Sequence, residues 1–154
     1  MFMGHALTEN RDGLLVNLAL SPATGTVERH LAPQLIEQAR QSGFHPRTLG
    51  VDKSYDTAEC VAALRQRGAT PHVAQHTSGR RSAIDGRTTC WPGYDASQRV
   101  RKRIEEIFGW MKTIGGFRRT RYRGLARSQL AGYLVAAAYN LVRMARLRTH
   151  VARV

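Results

Sequence analysis

Thr48-Leu49-Gly50-Val51-Asp52-Lys53-Ser54-Tyr55-Asp56 is the stretch on which the fold turns. Thr48 to Val51 is a short, largely apolar run of strand length, and a polar turn follows it. Asp56 and Glu59 stand in capping-box spacing, so a helix is predicted from there to about Arg67, ahead of Gly68. A second short strand is predicted near Thr70 to Val73. Strand, loop, helix and strand in that order indicate an α/β fold.

Upstream, His5 to Leu20 reads as two short strands around the Asp12-Gly13 turn, a hairpin. Val27 to Gln41 has helical spacing at Leu31, Leu35, Ile36 and Ala39 and stops near Gly43, with Pro33 a candidate for its first turn. Downstream, residues 76–96 are rich in Gly, Ser, Thr, Arg and Pro without sustained periodicity and are expected to form a long loop. Helices are predicted over Ser97 to Ile114 and Ser128 to Arg148, separated by Gly115-Gly116 and a basic stretch. Tyr133, Leu134, Tyr139, Leu141, Val142 and Met144 of the last helix are read as packing residues. With 154 residues and 42% hydrophobic content, one core is expected over 1–154. Its parts are hairpin and strand-helix units in 1–75, the loop 76–96 and a basic helical part in 97–148.

No window approaches the ~18 apolar residues of a membrane span, and residues 1–10 lack a signal-peptide pattern, so a cytoplasmic protein without membrane contact is expected. Cys60 and Cys90 lack CxxC or zinc-site spacing and read as two buried or idle thiols. The net charge of +13 is uneven. Residues 1–98 hold 10 basic and 9 acidic side chains, whereas 99–154 hold 14 basic and 2 acidic. So basic an end favours a polyanionic partner, because each phosphate neutralised by Lys or Arg releases condensed counterions. Charge alone selects no activity, and an RNA- or ribosome-binding protein would share it.

On a continuous helix from Ser97, Gln98, Arg101, Glu105, Phe108 and Lys112 fall on one face, and Val100, Ile104, Ile107, Met111 and Ile114 form the core stripe. Glu105 lies between an arginine and a lysine, while Glu106 points about 100° away on the wheel. A solvated face with an Arg101–Glu105 ion pair, worth a few tenths of a kcal/mol, is the plain alternative. His72 and His76 stand four apart where a strand leaves into a loop, which suits a zinc site poorly. Asp85 and Asp95 sit in turn-like contexts that favour local hydrogen bonding.

The same residues carry a resemblance. Arg101, Glu105 and Lys112 match the R-x3-E-x6-K part of the signature of insertion-sequence DDE transposases; the tyrosine that opens that signature is Gln98 here. Further matches run in family order: Gly4-His5 with Glu9-Asn10-Arg11, Asp52 to Asp56, Pro71 to Gln75, Ser82 to Arg87, Phe108-Gly109-Trp110 and Ala138 to Leu141. The resemblance implies a partial ribonuclease-H-like α/β fold, a mixed sheet with flanking helices. It implies that Asp52 and Glu105 are the second and third catalytic, metal-holding carboxylates, for Mg²⁺ or Mn²⁺. Two such ions about 4 Å apart would serve in-line displacement at a phosphodiester, and hard oxygen ligands suit them. The implied partner is double-stranded DNA at element ends, with no small-molecule substrate.

By that resemblance Arg101 and Lys112 hold phosphates near the metals, with local pairing to Glu105 as the alternative. Lys53 and Tyr55, beside Asp52, either touch DNA or are respectively solvated and packed under the loop. Arg118, Arg119, Arg121 and Arg123, with Tyr122 among them, form a basic run that either contacts phosphates or is a solvated loop. The family's first catalytic Asp lies on a strand ahead of the Gly-His segment, which begins here at Gly4; Glu9 and the turn residue Asp12 are poor substitutes. The expectation is therefore a chain with the first strand missing, inactive alone, that associates with an N-terminal half or a full-length transposase. The alternative is a non-catalytic basic DNA-binding protein that regulates or inhibits the full-length enzyme.

Overall fold

A computed structural model describes residues 1–23 and 28–151, with side chains for 1–23 and 31–149. It is a mixed α/β structure with two small sheets and flanking helices. Met1–Thr24 with Arg103–Val154 form one compact unit, and Gly25–Lys102 form another.

The first unit is built on an antiparallel hairpin of β1 (Phe2–Thr8) and β2 (Leu15–Pro22), with a bulge at Leu7/Thr8. Its register pairs His5 with Ala19 and Leu7 with Asn17. The predicted Asp-Gly turn is present, with Gly13 at φ 70°, a left-handed conformation that glycine adopts without a steric penalty. The Glu9 carboxylate organises that turn by accepting the N–H groups of Arg11, Asp12 and Leu14 at 2.7, 2.7 and 2.9 Å. Burial would raise the Glu9 pKa, but these main-chain hydrogen bonds outweigh it and hold the carboxyl below its usual value.

Helices α5 (Arg103–Lys112) and α6 (Leu125–Val151) complete this unit. Leu15 and Leu18 of β2, Ile107 and Met111 of α5, and Ala136 and Tyr139 of α6 form its buried cluster. Fully burying a side chain such as Leu18 or Ile107 stabilises by about 1.5–3 kcal/mol. Gly132 permits the close approach of α6, since a Cβ there would lie 3.0 Å from the Leu18 side chain. Two amides of α6 then close the outer edge of β2. Gln129 accepts from Leu20 N at 2.7 Å and donates to Leu18 O at 2.9 Å, while Asn140 accepts from and donates to the Leu15 main chain, each at 2.8 Å. Side chains thus take the place of a neighbouring strand, and the edge is not left as a template for pairing.

The second unit holds α1 (Glu28–Gln41) and a parallel pair, β3 (Thr48–Val51) with β4 (Thr70–Val73), both strands at their predicted positions. Helix α2 (Ala58–Gln66) crosses between the strands, followed by α3 (Gly86–Thr89) and α4 (Pro92–Val100). Val61, Val73 and Ile84 are buried together, with Val51, Tyr55, Ala83 and Tyr94 packed against them. Helix α4 crosses β3 at Gly50, where a Cβ would stand 3.3 Å from the Ser97 carbonyl oxygen.

Several local expectations are corrected. Pro33 lies inside α1, not in its first turn, and the expected helix start at Val27 lies outside the described residues. The N-cap of α2 is Thr57, whose Oγ1 accepts Cys60 N, because Asp56 is used elsewhere. The stretch expected as a loop contains α3, capped by Asp85, and the start of α4. Pro92 occupies the first turn of α4, where its missing N–H has no cost. The helix expected over Ser97 to Ile114 is interrupted by a turn at Arg101–Lys102. Arg99 with Lys102 and Arg103 sets like charges three and four residues apart there, which weakens a continuous helix. Ile114 is exposed rather than part of a stripe. Of the apolar residues expected to pack on α6, Tyr139 is buried, while Tyr133, Leu134, Leu141, Val142 and Met144 are exposed. No described helix is long and apolar enough to cross a membrane.

Candidate functional site

Asp52 follows the last residue of β3 and caps a 3-10 turn, Lys53–Tyr55, with its Oδ1 accepting Lys53 N at 2.6 Å. Its side chain is 65% exposed, and the Arg101 guanidinium lies 3.4 Å from Oδ1. Oδ2 has no hydrogen bond among the described residues. Arg101 therefore pairs with Asp52 across 49 residues of sequence, not with a carboxylate on its own helix. At this exposure the pair contributes about 0–1 kcal/mol, so it orients more than it stabilises.

Arg101 is held from behind. Its Nε donates to Gln98 Oε1 at 2.9 Å, and Gln98 Nε2 donates to the His72 carbonyl of β4 at 2.6 Å. The buried His72 ring meets Ser97 Oγ at 2.7 Å through Nδ1 and stands edge-on to Tyr94. Burial lowers the His72 pKa. An open cleft of about 580 Å³ runs beside this network, lined by Asp95, Gln98, Arg99, Arg101 and Lys102.

The other end of the Asp52 turn is fixed by Asp56, whose residue is 2% exposed. Its carboxylate accepts His76 N at 2.8 Å, Ala83 N at 2.8 Å and Ser82 Oγ at 3.1 Å, and its carbonyl accepts Arg80 Nη2 at 2.7 Å. Burial would raise the Asp56 pKa, but the hydrogen bonds from His76, Ala83 and Ser82 prevail and hold it below the usual value. His76 Nε2 lies 3.1 Å from the Lys53 carbonyl oxygen. Both histidines thus serve the local frame.

Of the other residues singled out in this unit, Lys53 is exposed and Tyr55 is half-buried against the Val61 cluster. Asp85 caps α3 and pairs with Arg87 at 2.9 Å. Asp95 lies in the first turn of α4.

In the first unit, Glu105 and Glu106 are both exposed in the first turn of α5, while Ile107 and Met111 turn inward. A carboxylate there is favoured by the helix dipole. Lys112, in the last turn, and Arg118, Arg119, Arg121 and Arg123 beyond it are exposed, and no hydrogen bond or ion pair among the described residues engages their side chains. Arg103, which sequence reasoning did not single out, donates to the carbonyls of Asn10 and Arg11. Asp56 and Gln98 were also missed as organising residues. The partners of the Asp56 carboxylate and of the Gln98 amide nitrogen lie 20–27 residues away, and spacing carries no signal for such contacts.

The donor types suit Mg²⁺, which takes hard oxygens, keeps several waters and binds through one or two carboxylates. Asp52 Oδ2 and the exposed Glu105 carboxylate are donors of that kind. Among the described residues there is no group of three or more His, Cys, Asp or Glu placed to hold a metal ion.

No curated protein and no solved structure matches the chain. A family model described as Transposase DDE domain matches residues 1–141. A match that runs from the first strand into the last helix makes this chain a member of the transposase DDE domain family.

Proposed function

We propose that the chain acts in DNA transposition through DDE-type strand cleavage and transfer at insertion-element ends, on a ribonuclease-H-like fold. Asp52 and Glu105 would hold divalent metal, Mg²⁺ or Mn²⁺. Bound there, the metal would activate the attacking hydroxyl and stabilise the leaving oxygen in an in-line displacement. The observation that carries the reading is Asp52 at the end of β3, with one carboxylate oxygen unengaged and the Arg101 guanidinium 3.4 Å from the other.

Each residue has a part in this reading. A planar guanidinium matches a phosphate bidentately, so Arg101 is suited to hold the scissile phosphate against the carboxylate. Lys53, exposed beside Asp52, and Lys112 supply further charge to the backbone. Arg118, Arg119, Arg121 and Arg123 form a positioning contact with duplex phosphates, which fixes register without reading sequence. Tyr55 supports the Asp52 turn from the half-buried side.

A nicking assay on duplexes bearing the element's terminal inverted repeats tests this. It is run with the chain alone and with the strand that the family places ahead of Gly4 supplied in trans. Metal-dependent cleavage is expected in the complemented mixture, and Asp52→Asn or Glu105→Gln should abolish it. Cleavage that survives Glu105→Gln would remove that residue from the site. The exposed arginines after α5 also support a second reading, a non-catalytic regulator of the full-length transposase. Tight binding to element ends, with no cleavage in either mixture, would favour it.

A further inference from the structure

We propose that Gln98 is a positioning residue that aims the Arg101 guanidinium at Asp52. This rests on the reading of Asp52 and Arg101 given above, and it assigns a role to the position where the family's signature has a tyrosine. An amide offers what a single phenol oxygen does not, a donor and an acceptor on separate atoms, and both are in use. Gln98 Nε2 donates to the His72 carbonyl at 2.6 Å, and Gln98 Oε1 accepts Arg101 Nε at 2.9 Å. The opposite amide orientation would set N–H against N–H and oxygen against oxygen, so the two partners select one orientation.

The need for such a brace follows from where Arg101 stands. Helix α4 ends at Val100, and Arg101 occupies the turn beyond it. A long side chain there is free to sample many rotamers, and its contact with Asp52 is a single interaction at 3.4 Å. Gln98 lies one helical turn back, so its side chain can meet that of Arg101. Its other end is tied to β4, the strand paired with the one that carries Asp52. The path His72 carbonyl, Gln98 amide, Arg101 guanidinium, Asp52 carboxylate therefore locks a cation onto the strand end through hydrogen bonds. Among the described residues, the Arg99 and Lys102 side chains in the same cleft have no such brace, whereas that of Arg101 is held by Gln98 and so preorganised for a phosphate oxygen.

Nitrogen-15 NMR of the full chain reads the brace directly, through exchange of the Arg101 Nε–H. A protected, slowly exchanging Nε–H is expected in the parent and lost in Gln98→Leu. Unchanged protection in Gln98→Leu overturns the proposal. Fluorescence anisotropy with an element-end duplex gives the functional arm. Gln98→Leu should weaken binding roughly three- to tenfold, the cost of ordering a long side chain that is no longer held. Added to Arg101→Gln, it should have no further effect, because the two substitutions remove one interaction. A full additional loss in the double variant also overturns the brace. If Arg101→Gln leaves DNA affinity unchanged, the phosphate-holding role of Arg101 fails, while Nε–H protection still decides whether Gln98 positions it.

Discussion

Replacing Asp56 with Asn should cost this protein a large part of the stability of the unit that carries Asp52. The carboxylate is almost fully buried, and its two oxygens accept three hydrogen bonds, from His76 N, Ala83 N and Ser82 Oγ. An asparagine fills nearly the same volume but turns one oxygen into an NH₂ group. Whichever oxygen is kept, one main-chain N–H then faces a donor. A hydrogen bond to a charged acceptor contributes about 1.5–3 kcal/mol, and an unsatisfied buried donor costs about 1–3 kcal/mol. The loss should therefore be about 2–4 kcal/mol, against a typical domain stability of about 5–15 kcal/mol. Urea unfolding at neutral pH measures it, and amide exchange at His76 and Ala83 localises it. The sign with pH follows from the depressed carboxyl pKa. Asp56 contributes in full above its unfolded-state pKa of about 3.9 and loses that contribution as pH falls through the lower folded value. The difference between parent and Asp56→Asn should stay constant from neutral pH to about pH 5 and shrink below about pH 4. A change under about 0.5 kcal/mol, with His76 and Ala83 amides exchanging as before, would refute the reasoning.

The amide caps on β2 predict that Gln129→Leu and Asn140→Leu each destabilise the first unit by about 1–3 kcal/mol, since each strips partners from main-chain groups of the edge strand. Hydrogen exchange should rise first at Leu20 in one variant and at Leu15 in the other, and equal protection in both would count against the caps. Substituting Arg118, Arg119, Arg121 and Arg123 together with alanine should weaken binding to any duplex sequence alike. It should also flatten the dependence of log affinity on log salt by about 0.9 for each phosphate that is no longer neutralised. An unchanged slope would return that run to a solvated loop.

The legible parts of this protein are those governed by local chemistry. Thr48 to Val51 is a largely apolar run of strand length ahead of a polar turn, Thr70 to Val73 is a short segment after the helix end at Gly68, and both form strands at those positions. Asp12-Gly13 marks a turn because glycine reaches positive φ freely, and the hairpin forms around it. Asp52 was legible as the residue after a strand. The helix at Pro92 was not, because Pro, Gly and Ser read as loop unless the proline is placed in the first turn, where it is harmless. Capping-box spacing pointed to Asp56 as a helix cap, but the N–H groups of His76 and Ala83 engage its carboxylate and Thr57 caps the helix.

What the sequence by itself determined is the α/β order of elements, the basic C-terminal end and, through resemblance, the family. These follow from the nature of neighbouring residues and from motif order, which the linear chain already contains. Only the tertiary structure decided that Arg101 pairs with Asp52, that Gln98 braces it from β4, and that Gln129 and Asn140 close the edge of β2. A polar side chain in water has many equivalent partners. Which one it takes is settled when the fold brings one donor or acceptor within reach.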